Sequence, residues 1–380
     1  MNPGYKKTEV GIMPEEWDVK LLPDVLRFRA GKAHEQHISE SGRYICVNSK
    51  FISTDGEVRK HSTANFCPAN KGDILMVMSD LPNGRALAKA YLVEKDDTFA
   101  VNQRVCALTA YRDCPEYFFY VLNRHPYFLK FDNGVSQTHL LNKVFQKCPI
   151  PVPTNVDEQR AIAEALGDID ALIRGLNHLI EKKRDIKQAT MQLLLTGKTR
   201  LPGFSGKWEV KQLGDVVQIK KGQLITSSTL KQGDIPVIAG GKQPAYYHAS
   251  ANRFGRTITI SASGASAGYV ALYNYPIFAS DCSTISESGS YSLDFIYYQL
   301  LSMQQTIYKS QTGGAQPHIH AKDLTPLKAL VPSIPEQVAI AAVLSDMDAE
   351  LTALEARRDK TRTLKQGMMQ ELLTGKTRLT

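Results

Sequence analysis

The chain has 380 residues, a formal net charge of +8 and a pI near 9.0. This length exceeds one ordinary hydrophobic core and predicts at least two domains, and the positive charge favours a polyanionic partner such as nucleic acid. No apolar run approaches a membrane span, and the N-terminus MNPGYKKTEV lacks a signal-peptide core, so we expect a soluble cytoplasmic protein. Six cysteines without a CxxC pair or metal-ligand spacing predict free thiols.

Residues 1–154 are the first predicted globular region. Short β-rich runs such as GDILMVMS alternate with turns rich in Gly, Ser and Asn, and an aromatic helix, PEYFFYVL, follows them. This mixture predicts an α+β domain rather than a regular βαβ array. The segment DLPNGRA (Asp80–Ala86) is a predicted turn with a basic residue, Arg85, at its exit, and we take Arg85 as a candidate DNA contact.

Residues 155–200 are predicted to form one long helix, which begins after the proline-bearing strand end IPVPTNVDEQ. Apolar side chains recur along this helix in alternating steps of four and three. Such heptad spacing is typical of two helices that zip together along one seam. The residues of this seam are Ile162, Leu166, Ile169, Ile173 and Leu176.

The segment LLTGKTRL occurs at the end of each of two long helical patterns. Its Gly-Lys-Thr resembles the end of a phosphate-binding loop, but such a loop needs an earlier glycine where this chain has Gln192 and Gln370. A phosphate-binding loop also opens a helix instead of ending one. We therefore interpret Gly197 and Gly375 as left-handed helix C-caps and not as parts of a nucleotide site.

Residues 201–332 repeat the globular pattern and residues 333–380 repeat the helix. Aligned without a gap, Glu158–Leu201 and Glu336–Leu379 are identical at more than half of their positions, which indicates an internal duplication. The second seam consists of Ile340, Leu344, Met347, Leu351 and Leu354. We expect the two seams to face each other in antiparallel register.

The globular regions are related more weakly, and their tails contain the best candidates for DNA contact. Aligning GVSQTHLLNKVF with GAQPHIHAKDL matches Gln137 with Gln316, His139 with His318, and Lys143 with Lys322. Gln can form two hydrogen bonds with adenine and Lys suits a phosphate, but these amide and imidazole groups could also bond to the local backbone. The segment SASGASAGY, with Ser263 and Ser266, fits either a close approach of backbone to phosphate or a plain hairpin.

The sequence contains none of the common catalytic motifs that we sought. It has no Pro-Pro pair for a methyltransferase motif, no Gly-x-Ser-x-Gly elbow and no His-Glu-x-x-His zinc pair. The HIH segment at His318–His320 places two rings on one face of a strand, but no acidic or cysteine partner is close in sequence. We expect neither a catalytic residue nor a metal site.

The order domain–helix–domain–helix resembles the specificity subunit of type I restriction-modification enzymes. The resemblance rests on the P-x-P…EQ…IA…L…D-x-D pattern at both helix starts and on LLTGKTRL at both helix ends. It implies that residues 1–154 and 201–332 are target-recognition domains, each of which reads one half of a split, asymmetric DNA site. It also implies that the two helices pack antiparallel as a coiled coil, which acts as a spacer and docking surface in a pseudo-two-fold, pseudo-cyclic arrangement.

The resemblance further implies a non-catalytic subunit without a cofactor of its own. Its implied partners are double-stranded DNA, two methyltransferase (modification) subunits that use S-adenosylmethionine, and restriction (motor-nuclease) subunits that use ATP and Mg²⁺. Three alternatives remain open: a related methylation-only or fused-type system, a methyltransferase with an embedded recognition domain, and a coiled-coil scaffold that does not touch DNA. No target sequence follows from the recognition segments.

Overall fold

The computed structural model describes residues 4–81, 84–112, 114–229, 231–313 and 316–379, with the exception of the Ser227 side chain. The chain divides into two compact units. The first comprises Met1–Gly175 and Arg358–Thr380, and the second comprises Leu176–Arg357. Each unit therefore contains one globular region and a part of each long helix.

The first unit is built from two four-stranded sheets and several short pairs of strands. Its strands are β1 (Tyr5–Thr8), β2 (Gly11–Pro14), β3 (Trp17–Leu21), β4 (Leu26–Ala30), β5 (Tyr44–Val47), β6 (His61–Ser62), β7 (Pro68–Ala69), β8 (Ile74–Val77), β9 (Ser79–Asp80), β10 (Ala90–Leu92), β11 (Phe99–Val101), β12 (Val105–Ala110), β13 (Thr138–His139) and β14 (Pro149–Pro153). Its helices are α1 (Leu22–Val25), α2 (Ser49–Ser53), α3 (Pro115–Leu122), α4 (Pro126–Leu129), α5 (Asn142–Phe145) and the start of α6 (Val156–Leu194). One sheet has the antiparallel order β10-β8-β12-β4, and the other has the order β6-β5-β11-β7 with β5 and β11 parallel.

The second unit repeats this strand order. Its strands are β15 (Glu209–Gln212), β16 (Lys220–Lys221), β17 (Ile235–Ile238), β18 (Tyr246–His248), β19 (Thr257–Ser261), β20 (Val270–Tyr273), β21 (Phe278–Ala279), β22 (Cys282–Ser286) and β23 (Lys328–Val331). Its helices are α7 (Leu213–Val216), α8 (Leu293–Ser302), α9 (Gln304–Lys309), α10 (Ala321–Leu324) and the start of α11 (Ile334–Leu372). The sheet β16-β22-β19-β20 matches the sheet β10-β8-β12-β4 of the first unit. The three-stranded sheet β18-β17-β21, with β17 and β21 parallel, matches three of the four strands of the sheet β6-β5-β11-β7. The predicted α+β class is confirmed.

The local signals for helix ends are confirmed. Helices α6 and α11 begin within a few residues of Pro153 and Pro332, because proline disfavours helical backbone in the residue before it. Both end before a glycine with φ of +69°, Gly197 and Gly375, as a left-handed C-cap requires. At Gly375 a side chain is also excluded by space, because a Cβ would lie 2.5 Å from Cδ of Pro14.

A buried carboxylate holds the start of α6 in the first unit. Glu158 is 1% exposed and accepts hydrogen bonds from Nε1 of Trp17 at 3.1 Å and from Nη2 of Arg378 at 2.9 Å. The next side chain, Gln159, accepts a bond from the backbone N–H of Cys114 and donates one to the carbonyl of Pro153. The Glu-Gln pair therefore fixes the helix start to the strands and to the C-terminal segment of the same unit.

The second unit repeats these contacts with its own copies of the residues. Glu336 is 2% exposed and accepts bonds from Nε1 of Trp208 at 3.2 Å and Nη2 of Arg200 at 2.7 Å. Gln337 accepts a bond from the N–H of Ser292 and donates one to a proline carbonyl. The sequence identities in the repeat thus preserve one set of helix-to-domain contacts.

Each unit also has the same three-residue contact between its two helix segments. The members are Tyr120, Asp170 and Lys365 in the first unit, and Tyr298, Asp348 and Lys187 in the second. Nζ of Lys365 lies 2.7 and 2.8 Å from the two carboxylate oxygens of Asp170, and the Tyr120 hydroxyl donates to one of them at 3.0 Å. Along α6, Glu158 comes before Asp170. Their partners follow the reverse order, because Arg378, which binds Glu158, comes after Lys365, which binds Asp170. The two segments therefore run antiparallel within the unit.

The predicted pairing of the two seams is wrong in its register. The expectation was that Ile162, Leu166, Ile169, Ile173 and Leu176 face Ile340, Leu344, Met347, Leu351 and Leu354. Instead, Ile162 and Leu166 pack into the core of the first unit with Leu372, and Ile340 packs into the core of the second unit with Leu194. Between antiparallel helices the start of one helix lies beside the end of the other, so equivalent positions near the two starts do not meet.

Two further observations concern the chain as a whole. All six cysteines are free and buried, as the sequence predicted for the thiols. None of the described helices has the length and apolar character needed to cross a membrane.

Candidate nucleic-acid interface

A polar cleft in the first unit brings two of the predicted DNA-contacting residues together. The short strands β9 and β13 pair antiparallel, with Ser79 opposite His139. Beside them lies an open cleft of about 400 Å³, lined by Ser79, Gln103, Arg104, Gln137 and His139. The cleft therefore combines hydrogen-bonding side chains with a cation, which suits contact with the edges of bases or with phosphates.

Fixed partners orient two amide side chains of the cleft. The Gln137 side chain donates from Nε2 to Oγ of Ser79 at 2.9 Å. Gln103 donates from Nε2 to the Glu35 carboxylate at 3.2 Å, and Asn102 donates to the same oxygen at 3.1 Å. The hydrogen bond from Asn102 lowers the pKa of Glu35, so this carboxylate stays ionised as an acceptor near neutral pH. Among the described residues, no hydrogen bond joins the Gln137 side chain to its local backbone, and its contact with DNA stays a prediction.

The loop that presents Arg85 is organised by the carboxylate of Asp80. This carboxylate accepts hydrogen bonds from the backbone N–H groups of Leu81 at 2.9 Å, Ala86 at 2.7 Å and Leu87 at 3.1 Å. Arg85 is exposed on this loop and does not line the cleft. Residues 82–83 of the predicted DLPNGRA turn lie outside the described residues.

Lys143 lies apart from the cleft on the following helix, α5, where its side chain is exposed. In the second unit, Lys322 has the corresponding place on α10 and is exposed as well. Both helices immediately follow the segment with the candidate Gln and His. Both lysines are exposed, and their contact with a phosphate stays a prediction.

The second unit positions its candidates on the same backbone frame. His318 pairs with Ser263 and with Thr312 in isolated β-bridges, and Gln316 is exposed two residues earlier. Ser266 lies in a short 3-10 helix, Gly264–Ser266, between β19 and β20. The segment SASGASAGY therefore is part of a hairpin connection, and its contact with DNA stays a prediction. Residues 314–315, at the start of the predicted GAQPHIHAKDL segment, lie outside the described residues.

The two histidines of the HIH segment stack on each other. The ring centroids of His318 and His320 are 6.1 Å apart, and the ring planes are nearly parallel. In the described part of the chain there is no group of three or more His, Cys, Asp or Glu side chains arranged to hold a metal ion.

The sequence alone did not single out Gln103 and Arg104 in the first unit or Asp281 in the second. All three lie in short polar connections between two buried strands: β11 and β12 in the first unit, and β21 and β22 in the second. The sequence does show a few polar residues between two consecutive apolar β-strands, and this pattern indicates a turn. It does not indicate where the turn lies, because only the pairing of strands that are distant in sequence brings the turn to the cleft.

Comparisons with known proteins agree on one family. The sequence profile described as the type I restriction modification DNA specificity domain matches residues 14–182 and 205–362. The type I restriction enzyme MjaVIII specificity subunit of Methanocaldococcus jannaschii is 24% identical, over 97% of this chain and 94% of its own length. The putative MjaX specificity subunit of the same organism is 26% identical, over 99% of this chain and 97% of its own.

Two solved structures share the fold. The S subunit of the type I restriction-modification system from M. genitalium has a TM-score of 0.68 at 19% identity, covering 98% of this chain and 99% of that chain. A chain from a structure of complex assembly and conformational transition in the type I R-M system has a TM-score of 0.57 at 18% identity, covering 96% and 99%. Both likenesses extend over nearly the full length of the chain.

Proposed function

Because the chain belongs to the type I restriction-modification DNA specificity family, we propose that its two units read the two halves of a split, asymmetric DNA site. A subunit of this family confers DNA sequence specificity and is not itself catalytic. The methyl transfer takes place on partner subunits that bind S-adenosylmethionine. The complex acts on double-stranded DNA in the cytoplasm.

A single observation supports two separate readers more than any other. The same pair of strand segments, with Ser79 opposite His139 in one unit and Ser263 opposite His318 in the other, borders a region with different side chains. Two domains that bind DNA at different base sequences are expected to share a backbone arrangement and to differ in the polar side chains that it presents. Residues that served only stability would have stayed alike, as Glu158 and its copy did.

Within each unit, the candidate residues have different proposed tasks. Gln137 and Gln316 offer an amide that can pair with adenine in the major groove, and His139 and His318 donate to a base or a phosphate. A second group neutralises or approaches phosphates and sets the register of the domain on DNA. Its members are Arg85, Lys143, Ser263, Ser266 and Lys322.

The long helices act in our proposal as a coiled-coil spacer, and the two units are related by a pseudo-two-fold axis. Support comes from the antiparallel contacts that each unit repeats, such as Lys365 with Asp170 and Lys187 with Asp348. The chain is also pseudo-cyclic in this proposal. The hydroxyl of Tyr5 donates to the carbonyl of Gly375 at 3.1 Å, so the N-terminal strands contact the C-terminal helix end of the same unit.

The helices also provide the docking surface for two methyltransferase subunits. Leu179, Ile186 and Leu193 recur every seven residues on α6 and are exposed, although their heptad spacing is typical of a helix-helix seam. An exposed apolar row of this kind fits a helix of a partner protein. We assign it to the methyltransferase subunit. Restriction subunits, which use ATP and Mg²⁺, join the complex in addition.

The decisive experiment is to express the chain with the methyltransferase subunit of its own system in cells that lack other modification, and to sequence the methylated bases. We expect one motif with two defined halves separated by unspecified base pairs. The chain without its partner should methylate no DNA. A continuous or absent motif, or methyl transfer by the isolated chain, would contradict the proposal.

Independence of the two readers can be tested with the same readout. Replacing residues 1–151 by the corresponding region of a relative should change one half of the motif and leave the other half intact. A change in both halves would show that the two units do not read separately.

A further inference from the structure

In the first unit, two backbone hydrogen bonds fix the position of Arg104 relative to the candidate DNA contacts. The N–H of Met78 donates to the carbonyl of Arg104 at 2.9 Å, and the carbonyl of Met78 accepts from the N–H of Leu140 at 2.8 Å. Met78 immediately precedes Ser79, and Leu140 immediately follows His139. Arg104 is therefore held beside the two segments that contain Ser79 and His139.

The second unit repeats these contacts at Asp281. The N–H of Ala262 donates to the carbonyl of Asp281 at 3.1 Å, and the carbonyl of Ala262 accepts from the N–H of Ile319 at 2.9 Å. Ala262 precedes Ser263 and Ile319 follows His318, as in the first unit. Asp281 therefore occupies the position of Arg104 on an equivalent backbone, with the charge reversed.

The side chain of Arg104 is available to bind a ligand. It is exposed and lines the cleft, and among the residues that the structure describes no hydrogen bond or ion pair involves its guanidinium group. Arg29 of the same unit, in contrast, is bound to the carboxylate of Asp73 at 2.7 Å. The planar fork of an arginine matches the O6 and N7 acceptors of guanine in the major groove.

The carboxylate of Asp281 has the opposite chemistry. It is half-buried, and it accepts a hydrogen bond from the hydroxyl of Ser263. A carboxylate repels phosphates but can accept a hydrogen bond from the N4 amino group of cytosine. An acidic group at this place in a DNA-binding domain is therefore suited to a base and not to the backbone.

We infer that Arg104 and Asp281 are equivalent specificity-determining residues, of which Arg104 reads a guanine in one half-site and Asp281 reads a cytosine in the other. The inference rests on the proposed function, because it assumes that the Arg104 and Asp281 positions both face the major groove. It adds the chemical identity of one base in each half of the site. It also explains why the same backbone position has opposite charges in the two units.

The test uses the complete complex of the chain with its methyltransferase subunits. Relative rates of methylation are measured on a DNA library in which each position of the motif is varied. Arg104→Ala should reduce discrimination for guanine at one position of one half-site by roughly ten- to a hundredfold and leave the other half unchanged. Arg104→Lys should keep the overall affinity for DNA but not the discrimination, because lysine lacks the planar fork.

The matching variant in the second unit is Asp281→Asn. Asparagine can bind adenine with two hydrogen bonds, so the preferred base at one position of the other half-site should move from cytosine towards adenine. Arg27→Ala is the control, because it removes the same charge from an exposed site of the first unit outside the cleft. It should leave the motif unchanged.

Two results would overturn the inference without affecting the proposed function. One is a bipartite motif that stays the same in Arg104→Ala and Asp281→Asn. The other is a loss of affinity by Arg104→Ala that is equal for all sequences, with a flatter dependence on salt, which would identify a phosphate contact. If the unaltered complex shows no bipartite motif, the proposed function itself fails.

Discussion

The two units of the chain agree closely where the helices meet the globular regions and differ in the polar side chains around the Ser79–His139 and Ser263–His318 pairs. Glu158 and Glu336 each bind one tryptophan and one arginine in the same geometry. Beside these pairs, Arg104 in one unit corresponds to Asp281 in the other, and the hydroxyl of the equivalent serine binds Gln137 in one case and Asp281 in the other. The difference separates residues that hold the repeated framework from residues that are free to change with the DNA target.

The first prediction is that removal of the buried glutamate destabilises each unit strongly and by a similar amount. Glu158→Ala leaves the Arg378 guanidinium and the Trp17 N–H without their buried carboxylate, which should cost about 3–5 kcal/mol in the free energy of unfolding. Glu336→Ala should destabilise the second unit by a similar amount. Urea unfolding can be followed in each unit separately, because the chain has two tryptophans, Trp17 and Trp208, and either can be replaced by phenylalanine.

The control for this prediction is Glu16→Ala. Glu16 also binds Arg378, but its side chain is 72% exposed, so its loss should cost less than about 1 kcal/mol. Equal effects of Glu16→Ala and Glu158→Ala would show that burial of the carboxylate is not the source of stability.

The next prediction concerns a difference between the two long helices. On α11, the positions equivalent to Leu179, Ile186 and Leu193 are Arg357, Leu364 and Glu371, so the exposed apolar row is continuous on α6 alone. Ile186→Asp should weaken binding of a methyltransferase subunit at least tenfold, since burial of one such side chain contributes roughly 1.5–3 kcal/mol. Titration calorimetry or light scattering with the purified partner would measure this loss.

Leu364→Asp sharpens the same test. Its position on α11 corresponds to Ile186, but the neighbouring positions of its row are charged, and we expect a smaller loss of affinity than for Ile186→Asp. Lys182→Ala, an exposed change on α6, should leave binding unaffected. A larger effect of Leu364→Asp would place the main methyltransferase contact on α11 instead.

A third prediction uses pH to distinguish the units. Burial lowers the pKa of His125 to about 4, and the positive charge of Lys130 adds to this effect, whereas Met303 is the residue at the equivalent helix start in the second unit. A histidine in the unfolded chain has a pKa near 6.5, so the unfolded first unit takes up a proton more readily than the folded one. Its stability is therefore complete above pH 6.5 and is lost as the pH falls towards 4.

Between pH 7 and pH 5 the first unit should lose roughly 1–2 kcal/mol in the free energy of unfolding, while the second unit lacks this contribution. Unfolding with urea at both pH values, followed by each tryptophan alone, gives the two curves. His125→Asn keeps an acceptor for the N–H of Tyr127 but removes the titrating ring, so it should remove this part of the pH dependence. An unchanged pH dependence in this variant would exclude His125 as its source.

The accuracy of the sequence analysis depended on the range of the interactions involved. Helix starts and ends were predicted because they follow from local residues, such as Pro153 before α6 and Gly197 after it. The heptad pattern identified the apolar face of each helix, but periodicity alone does not state what that face meets, and the register was therefore wrong. The pairing of Arg200 with Glu336 and of Arg378 with Glu158 joins residues far apart in sequence, so no local pattern indicated it.

For the candidate interface, the sequence showed which residues occur in both halves of the chain. It did not show which residues lie close together in the folded unit. Gln137 and His139 were found through their copies in the second half of the chain. Arg104 has no such copy, because its equivalent is an aspartate, and it reaches the cleft only through contacts between segments far apart in sequence. Residues that diverge between repeats are invisible to an alignment that searches for identity, and in this protein Arg104 and Asp281 are such residues.

The smallest expected effects come from the lysines that follow the candidate Gln and His in each unit. Lys143 and Lys322 are exposed on equivalent short helices, and each is proposed to neutralise one phosphate. Lys143→Ala and Lys322→Ala should each weaken DNA binding of the complex by a similar factor for all sequences and flatten the salt dependence by about one unit of slope. The methylated motif should stay unchanged in both, because a phosphate contact does not distinguish one base from another.

Gln316→Ala provides the contrast, since it should relax one position of the motif with little change in salt dependence. Affinities measured at several salt concentrations, on DNA with and without the motif, separate the two behaviours, and a sequence-dependent loss in either lysine variant would assign that lysine to a base instead.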